Sequence, residues 1–168
     1  VHELQLGIAA VAKPDDVVAL VYDERQKSRQ KIVTSNGVTL GLFLPRGTIL
    51  KQGDVLLADD GSCTRVDAAP EQLSVIESYD HFQLLRAAYH LGNRHVMLQI
   101  APGKLAYQHD HVLDDMVRGL GLAVDCVTAP FHPEAGAYHG QGGQSHGHDH
   151  SHSHGHTHDG HSHGHAHK

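Results

Sequence analysis

Residues 139–168 are written almost wholly in His, Gly, Ser, Asp, Gln and Thr. Such a segment buries nothing that could offset the entropy of ordering, so its unbound state is expected to be disordered. Of the 168 residues, about 138 remain to build a core, enough for one ordinary domain or two small ones. Two cores would hold about 70 residues each, near the lower limit at which a hydrophobic core suffices alone, so mutual support or dimerisation is expected.

Within the body, runs at 17–22, 31–34 and 38–44 alternate with polar turns, which predicts β structure up to about residue 66. Asn36-Gly37 is a hairpin signal because both residues tolerate the positive φ of a type I′ turn, and Pro45-Arg46-Gly47 and Asp59-Asp60-Gly61 mark further turns. Residues 1–70 thus read as a small N-terminal all-β domain. At 68–72 the sequence Ala-Ala-Pro-Glu-Gln offers few apolar anchors and is expected to be a short linker.

Beyond it, 73–77 reads as a strand. Asp80 is placed to cap a helix through about residue 91, with Phe82, Leu85, Ala88 and Tyr89 at three- and four-residue spacing and Gly92 as its terminator. Strands at 96–100 and 105–108 flank a Pro102-Gly103 turn. Asp110 caps a second helix over 111–120 with Val112, Leu113, Met116, Val117 and Leu120 on its apolar face; Gly121 ends it, and 122–128 is a last strand. This βαββαβ order is that of ferredoxin-like folds. The expected class is α+β: an N-terminal β domain at 1–70, a ferredoxin-like domain at 71–138 and the histidine-rich tail at 139–168. Ferredoxin-like sheets host many activities, so function has to be argued from particular side chains.

A formal net charge of −6 gives no electrostatic reason to expect a nucleic acid or an anionic membrane as partner. No apolar run approaches the roughly 18 residues that span a bilayer, and the N-terminus lacks the pattern of a signal peptide, so a cytoplasmic protein is expected. Cys63 and Cys126 have no metal-ligand or redox spacing and read as partly buried hydrophobes.

Twelve of the 19 histidines lie at or beyond His139. Most follow an alternating register: His146, His148, His150, His152, His154, His156 and His158, then His161, His163, His165 and His167. Residues two apart in an extended chain project to the same side, so several of these imidazoles can converge on one ion. Imidazole suits nickel, copper, zinc or cobalt rather than magnesium or calcium, and intrinsic affinity does not choose among the first group. The spacers distinguish the segment from an affinity tag of consecutive histidines. At coil-like scaling its thirty residues span about 30 Å, far enough to meet the body without a fixed docked pose.

The body carries a second group, His109-Asp110-His111 at the expected strand-to-helix junction and His95 ahead of the preceding strand. If His109 and His111 are still extended, both side chains can face one ion, with Asp110 either capping the helix or orienting an imidazole. The alternative is a solvated polar cap. His81, His90 and His132 are weaker candidates. Gly143-Gln144-Ser145-His146-Gly147 matches the nucleophile-elbow pattern of hydrolases, but it sits in the low-complexity tail with no strand before it or helix after it. Nothing in the chain argues for catalysis, and it is not expected to be an enzyme.

Gly92-Asn93-Arg94-His95-Val96, the run from Tyr107-Gln108-His109-Asp110-His111 through Val112-Leu113-Asp114-Asp115-Met116, Pro133-Glu134-Ala135-Gly136-Ala137-Tyr138 and the histidine-rich end together resemble the UreE family of urease accessory proteins, nickel metallochaperones. The resemblance implies an N-terminal domain similar to a peptide-binding chaperone module and a ferredoxin-like metal-binding domain. It implies a homodimer in which His95 sits at the interface and two copies share a nickel site, while His109 and His111 form peripheral sites. Nickel would pass to apo-urease through a complex with the other accessory proteins, including a GTPase. A second reading, a histidine-rich buffer that sequesters nickel, copper or zinc, rests on the tail alone.

Overall fold

The computed structural model describes residues 14–135, all of them within one compact unit, 1–135. The tail, with its eleven alternating histidines, and Gly136 to Tyr138 lie outside the described residues.

Strand β1 (Asp16–Leu20) opens the N-terminal half, and the four-residue helix α1 (Tyr22–Arg25) follows it. The run expected as one strand through residue 22 therefore bends at Val21, and an otherwise β half carries one helical turn. Strands β2 (Arg29–Val33) and β3 (Thr39–Phe43) form an antiparallel hairpin. Its turn is wider than the two-residue loop anticipated. Thr34 N–H donates to Val38 O at 2.9 Å, Gly37 N–H to Thr34 O at 2.9 Å, and only Gly37, at φ +80°, takes the left-handed position. Strands β4 (Val55–Leu57) and β5 (Cys63–Ala68) complete a three-stranded sheet in the order β1-β5-β4, with β1 and β5 parallel. Val18, Leu20, Ile32, Leu42, Leu44, Leu50, Leu56 and Val66 fill the space between this sheet and the hairpin.

The stretch anticipated as a linker is almost entirely strand, since β5 ends at Ala68 and β6 (Pro70–Glu77) begins after a single residue. The C-terminal half continues with α2 (His81–Gly92), β7 (Gln99–Ala101), β8 (Lys104–Gln108), α3 (His111–Gly119) and β9 (Asp125–Pro130). Its sheet runs β7-β8-β6-β9 with every neighbouring pair antiparallel, so the first and third strands lie inside and the second and fourth at the edges. This is the expected βαββαβ arrangement. The strand anticipated at 96–100 starts later, because 93–96 are taken up by the end of α2.

One side of the sheet is closed by the helices. Ile76, Leu105 and Tyr107 pack with Leu84, Ala87 and Leu91 of α2 and Val117 of α3. On the other side, Leu73 joins Tyr22 and Phe131 in a small buried cluster. Tyr22 and Phe131 meet edge to face at 5.4 Å, and the buried Arg25 guanidinium lies 5.3 Å from the Tyr22 ring centre and donates to the Phe131 and Leu50 carbonyls. Two half-sized cores thus share buried contacts, the mutual support that their sizes call for.

Helix α2 buries a different face from the one its spacing first suggests. Phe82, Leu85 and Tyr89 are each about two-thirds exposed, while Leu84, Ala87 and Leu91 face the core. Both sets recur at helical intervals, and periodicity alone does not say which of two apolar stripes meets the sheet. Val112 of α3 is likewise exposed. Cys63 is half-buried and Cys126 exposed on β9, where its Sγ–H donates to Gln72 Oε1 at 3.3 Å; both are free thiols.

Candidate metal centre

Helices α2 and α3 end in the same way. In α3, Leu122 N–H donates back to Val117 O and Gly121 N–H to Arg118 O, a Schellman pair that puts Gly121 in the left-handed region at φ +90°. In α2 the matching bonds run from Val96 to Leu91 at 3.2 Å and from His95 to Gly92 at 2.9 Å. The left-handed position therefore falls on His95, at φ +57°, the only non-glycine residue among those described with positive φ. An L-residue there costs about 1–2 kcal/mol relative to its ordinary conformations. The terminator expected at Gly92 is thus three residues early. A histidine occupies the place where helix chemistry favours glycine, and its side chain is exposed, as are Phe82, Leu85 and Tyr89 of the helix it ends.

His109 and His111 flank Asp110 at the junction of β8 and α3. The Asp110 carboxylate accepts from Val112 N–H at 2.8 Å and Leu113 N–H at 3.2 Å, so it caps the helix. The residue that meets His109 is instead Asp114, one helical turn later. Asp114 is 2% exposed; its Oδ1 accepts from the Tyr107 hydroxyl at 2.7 Å and its Oδ2 lies 3.3 Å from His109 Nδ1. Ser74 Oγ, fully buried on β6, sits 3.0 Å from the same Nδ1, and Arg118 reaches Asp114 Oδ2 at 3.7 Å. Burial first, and the Asp114 carboxylate second, hold the Tyr107 phenol well above its ordinary pKa. His111 is exposed at the first position of α3.

Sequence reasoning named His109 and His111 but missed Asp114, Tyr107 and Ser74. The available signal was an acidic residue three positions before the buried Val117, on the face that must meet the core.

Among the described residues, no three His, Cys, Asp or Glu side chains come together as a ligand set. His95, His109 and His111 therefore do not form a closed ligand set within one chain. His90 stacks edge to face on Tyr89 at 5.4 Å, the His132 N–H donates to Gln99 Oε1, and His81 begins α2.

Two family models match the chain: the N-terminal domain of the UreE urease accessory protein over residues 1–69 and its C-terminal domain over 71–168. The chain is 56% identical over 128 residues to the urease accessory protein UreE of Teredinibacter turnerae, covering 76% of this chain and 83% of that one. It is 51% identical over 135 residues to the Proteus mirabilis protein of the same name, covering 80% and 84%. The Saccharophagus degradans protein of that name is 58% identical over 126 residues, covering 75% of each.

Proposed function

The chain belongs to the UreE family of urease accessory proteins, and from that premise we propose that it carries nickel to apo-urease with His95 as the central ligand. It is an accessory chaperone for urease maturation, not an enzyme. The observation that carries the central role is His95 itself, an exposed imidazole held in a left-handed conformation that the otherwise equivalent end of α3 gives to glycine. Strain of this kind persists where the surrounding structure enforces it, and it gathers at functional positions.

One imidazole is a weak site. A two-fold axis close to His95 doubles it, and the exposed Phe82, Leu85 and Tyr89 stripe is an apolar face suited to such a homodimer. A shared ion with few protein ligands keeps open coordination positions, through which a recipient can take it. His109 and His111 are peripheral ligands in this reading. The tail histidines, His146 to His158 and His161 to His167, act as reservoir and antenna. Nickel is the cargo; copper, zinc and cobalt suit the same imidazoles.

The remaining parts follow from the same reading. Residues 1–70 form a module for partner binding, 71–138 the metal domain and 139–168 the reservoir. The partners are apo-urease and the other accessory proteins, including the GTPase, in the cytoplasm. No described helix is long and apolar enough to cross a membrane.

The test is urease activation under limiting nickel with His95→Ala. Activation is expected to fall sharply while the protein stays folded; unchanged activation would remove His95 from the centre of the mechanism.

A further inference from the structure

The cluster of Tyr107, Asp114, Ser74 and His109 places a buried carboxylate against the inner nitrogen of a half-exposed imidazole. We propose that Asp114 is a positioning residue that fixes His109 as its Nδ1–H tautomer and so presents Nε2 to nickel. This rests on the reading of His109 as a nickel ligand.

The geometry selects the tautomer. If Nδ1 carried a lone pair, the Ser74 hydroxyl could donate to it at 3.0 Å, but the same pair would also face the Asp114 carboxylate oxygen Oδ2 at 3.3 Å, and that charged acceptor decides against it. With Nδ1 protonated, the same N–H donates toward both Asp114 Oδ2 and Ser74 Oγ at 3.0 Å. Each of the acceptors is itself held: Oδ1 of Asp114 takes the Tyr107 hydroxyl at 2.7 Å, and Ser74 is fully buried in the central strand β6. Asp114 is fixed in turn by its place on α3, in the turn that Asp110 caps. The ring is therefore anchored from inside at Nδ1, while the His109 side chain keeps 40% of its surface open. Nε2 is the nitrogen left with a lone pair.

A metal-bound imidazole whose other nitrogen donates to a carboxylate is more basic and has its ring plane set in advance. Loss of such a partner weakens metal binding about 10- to 100-fold. His111 has no such partner among the described hydrogen bonds, so within the His109-Asp110-His111 motif the pre-oriented ligand is His109. Asp110, between them, is committed to the helix cap.

The experiment uses the full-length protein in three forms: wild type, Asp114→Asn and His109→Ala. Long-range proton–nitrogen NMR on imidazole-labelled metal-free protein reads the tautomer of His109, assigned by the signal absent from His109→Ala. Nickel titration then reads the ions bound and their affinities. The expected results are an Nδ1–H His109 in the wild type, a shift toward the other tautomer in Asp114→Asn, and about tenfold weaker nickel binding at the site that His109→Ala removes. An Nε2–H tautomer in the wild type overturns the proposal, and that measurement needs no variant of Asp114 to fold. If His109→Ala removes a nickel ion but Asp114→Asn leaves both tautomer and affinity unchanged, the positioning role alone fails. If His109→Ala removes no nickel, the reading of His109 as a ligand fails and takes the proposal with it.

Discussion

Replacing His95 by glycine should make the protein more stable and functionally worse. The backbone at residue 95 sits at φ +57°, closed by the Val96-to-Leu91 and His95-to-Gly92 hydrogen bonds. Relieving an L-residue of that conformation gains about 1–2 kcal/mol. Glycine gives back about 0.4–1 kcal/mol through the greater freedom of its unfolded chain. The net expectation is a gain of about 0.5–1 kcal/mol, or about 1–4 °C in midpoint for a chain of this size. His95→Ala keeps the Cβ and hence the strain, and because the imidazole is exposed it should fall within about 0.5 kcal/mol of the parent. The assay is urea unfolding of the three proteins in chelator at one fixed concentration, since association and metal both shift apparent stability. Both variants should lose the tightly held nickel ion, which separates stability from binding. A glycine variant no more stable than the alanine variant would refute the claim that His95 occupies a glycine-favouring position against its intrinsic preference.

Two further outcomes follow from particular residues. Burial raises the folded-state pKa of both Tyr107 and Tyr22, so their neutral forms are the native ones; the unfolded chain releases these protons first, and stability is lost as pH rises through about 10. The difference in phenolate absorbance between the parent and Tyr22→Phe or Tyr107→Phe, followed beside circular dichroism, should show these two tyrosines ionising only with unfolding, and a difference signal from a still-folded protein would contradict their burial. Leu85→Glu places a carboxylate on the outward stripe of α2 without touching Leu84, Ala87 or Leu91; it should yield a folded monomer in sedimentation, whereas an intact dimer would move the interface elsewhere.

Much of the C-terminal half was legible because its punctuation is local. Asp80 and Asp110 each accept from two backbone amides of the turn they cap, and Gly121 ends α3 where expected. The end of α2 was not legible, because its terminator is a histidine, and the residue that marks a left-handed helix end in a sequence is glycine. The buried face of α2 was not legible either, since Phe82, Leu85 and Tyr89 make as good a helical stripe as Leu84, Ala87 and Leu91. Only the sheet chooses between them. The bend at Val21 and the turn α1 depend on tertiary partners: the Tyr22 N–H bonds Glu71 Oε1 at 2.9 Å, across 49 residues of sequence. His109 and His111 stood out by spacing. Asp114 did not, because a carboxylate on the core side of a helix is recognised only when Tyr107, Ser74 and His109 close around it.

The most direct test of the central claim is a nickel titration by native mass spectrometry on protein truncated at about residue 140, with and without His95→Ala. A nickel site centred on His95 predicts a dimer that keeps one tightly bound ion after loss of the tail and loses that ion with His95. A tail-free protein that binds nickel only as a monomer, or a His95→Ala dimer that holds the ion as firmly as its parent, would contradict it.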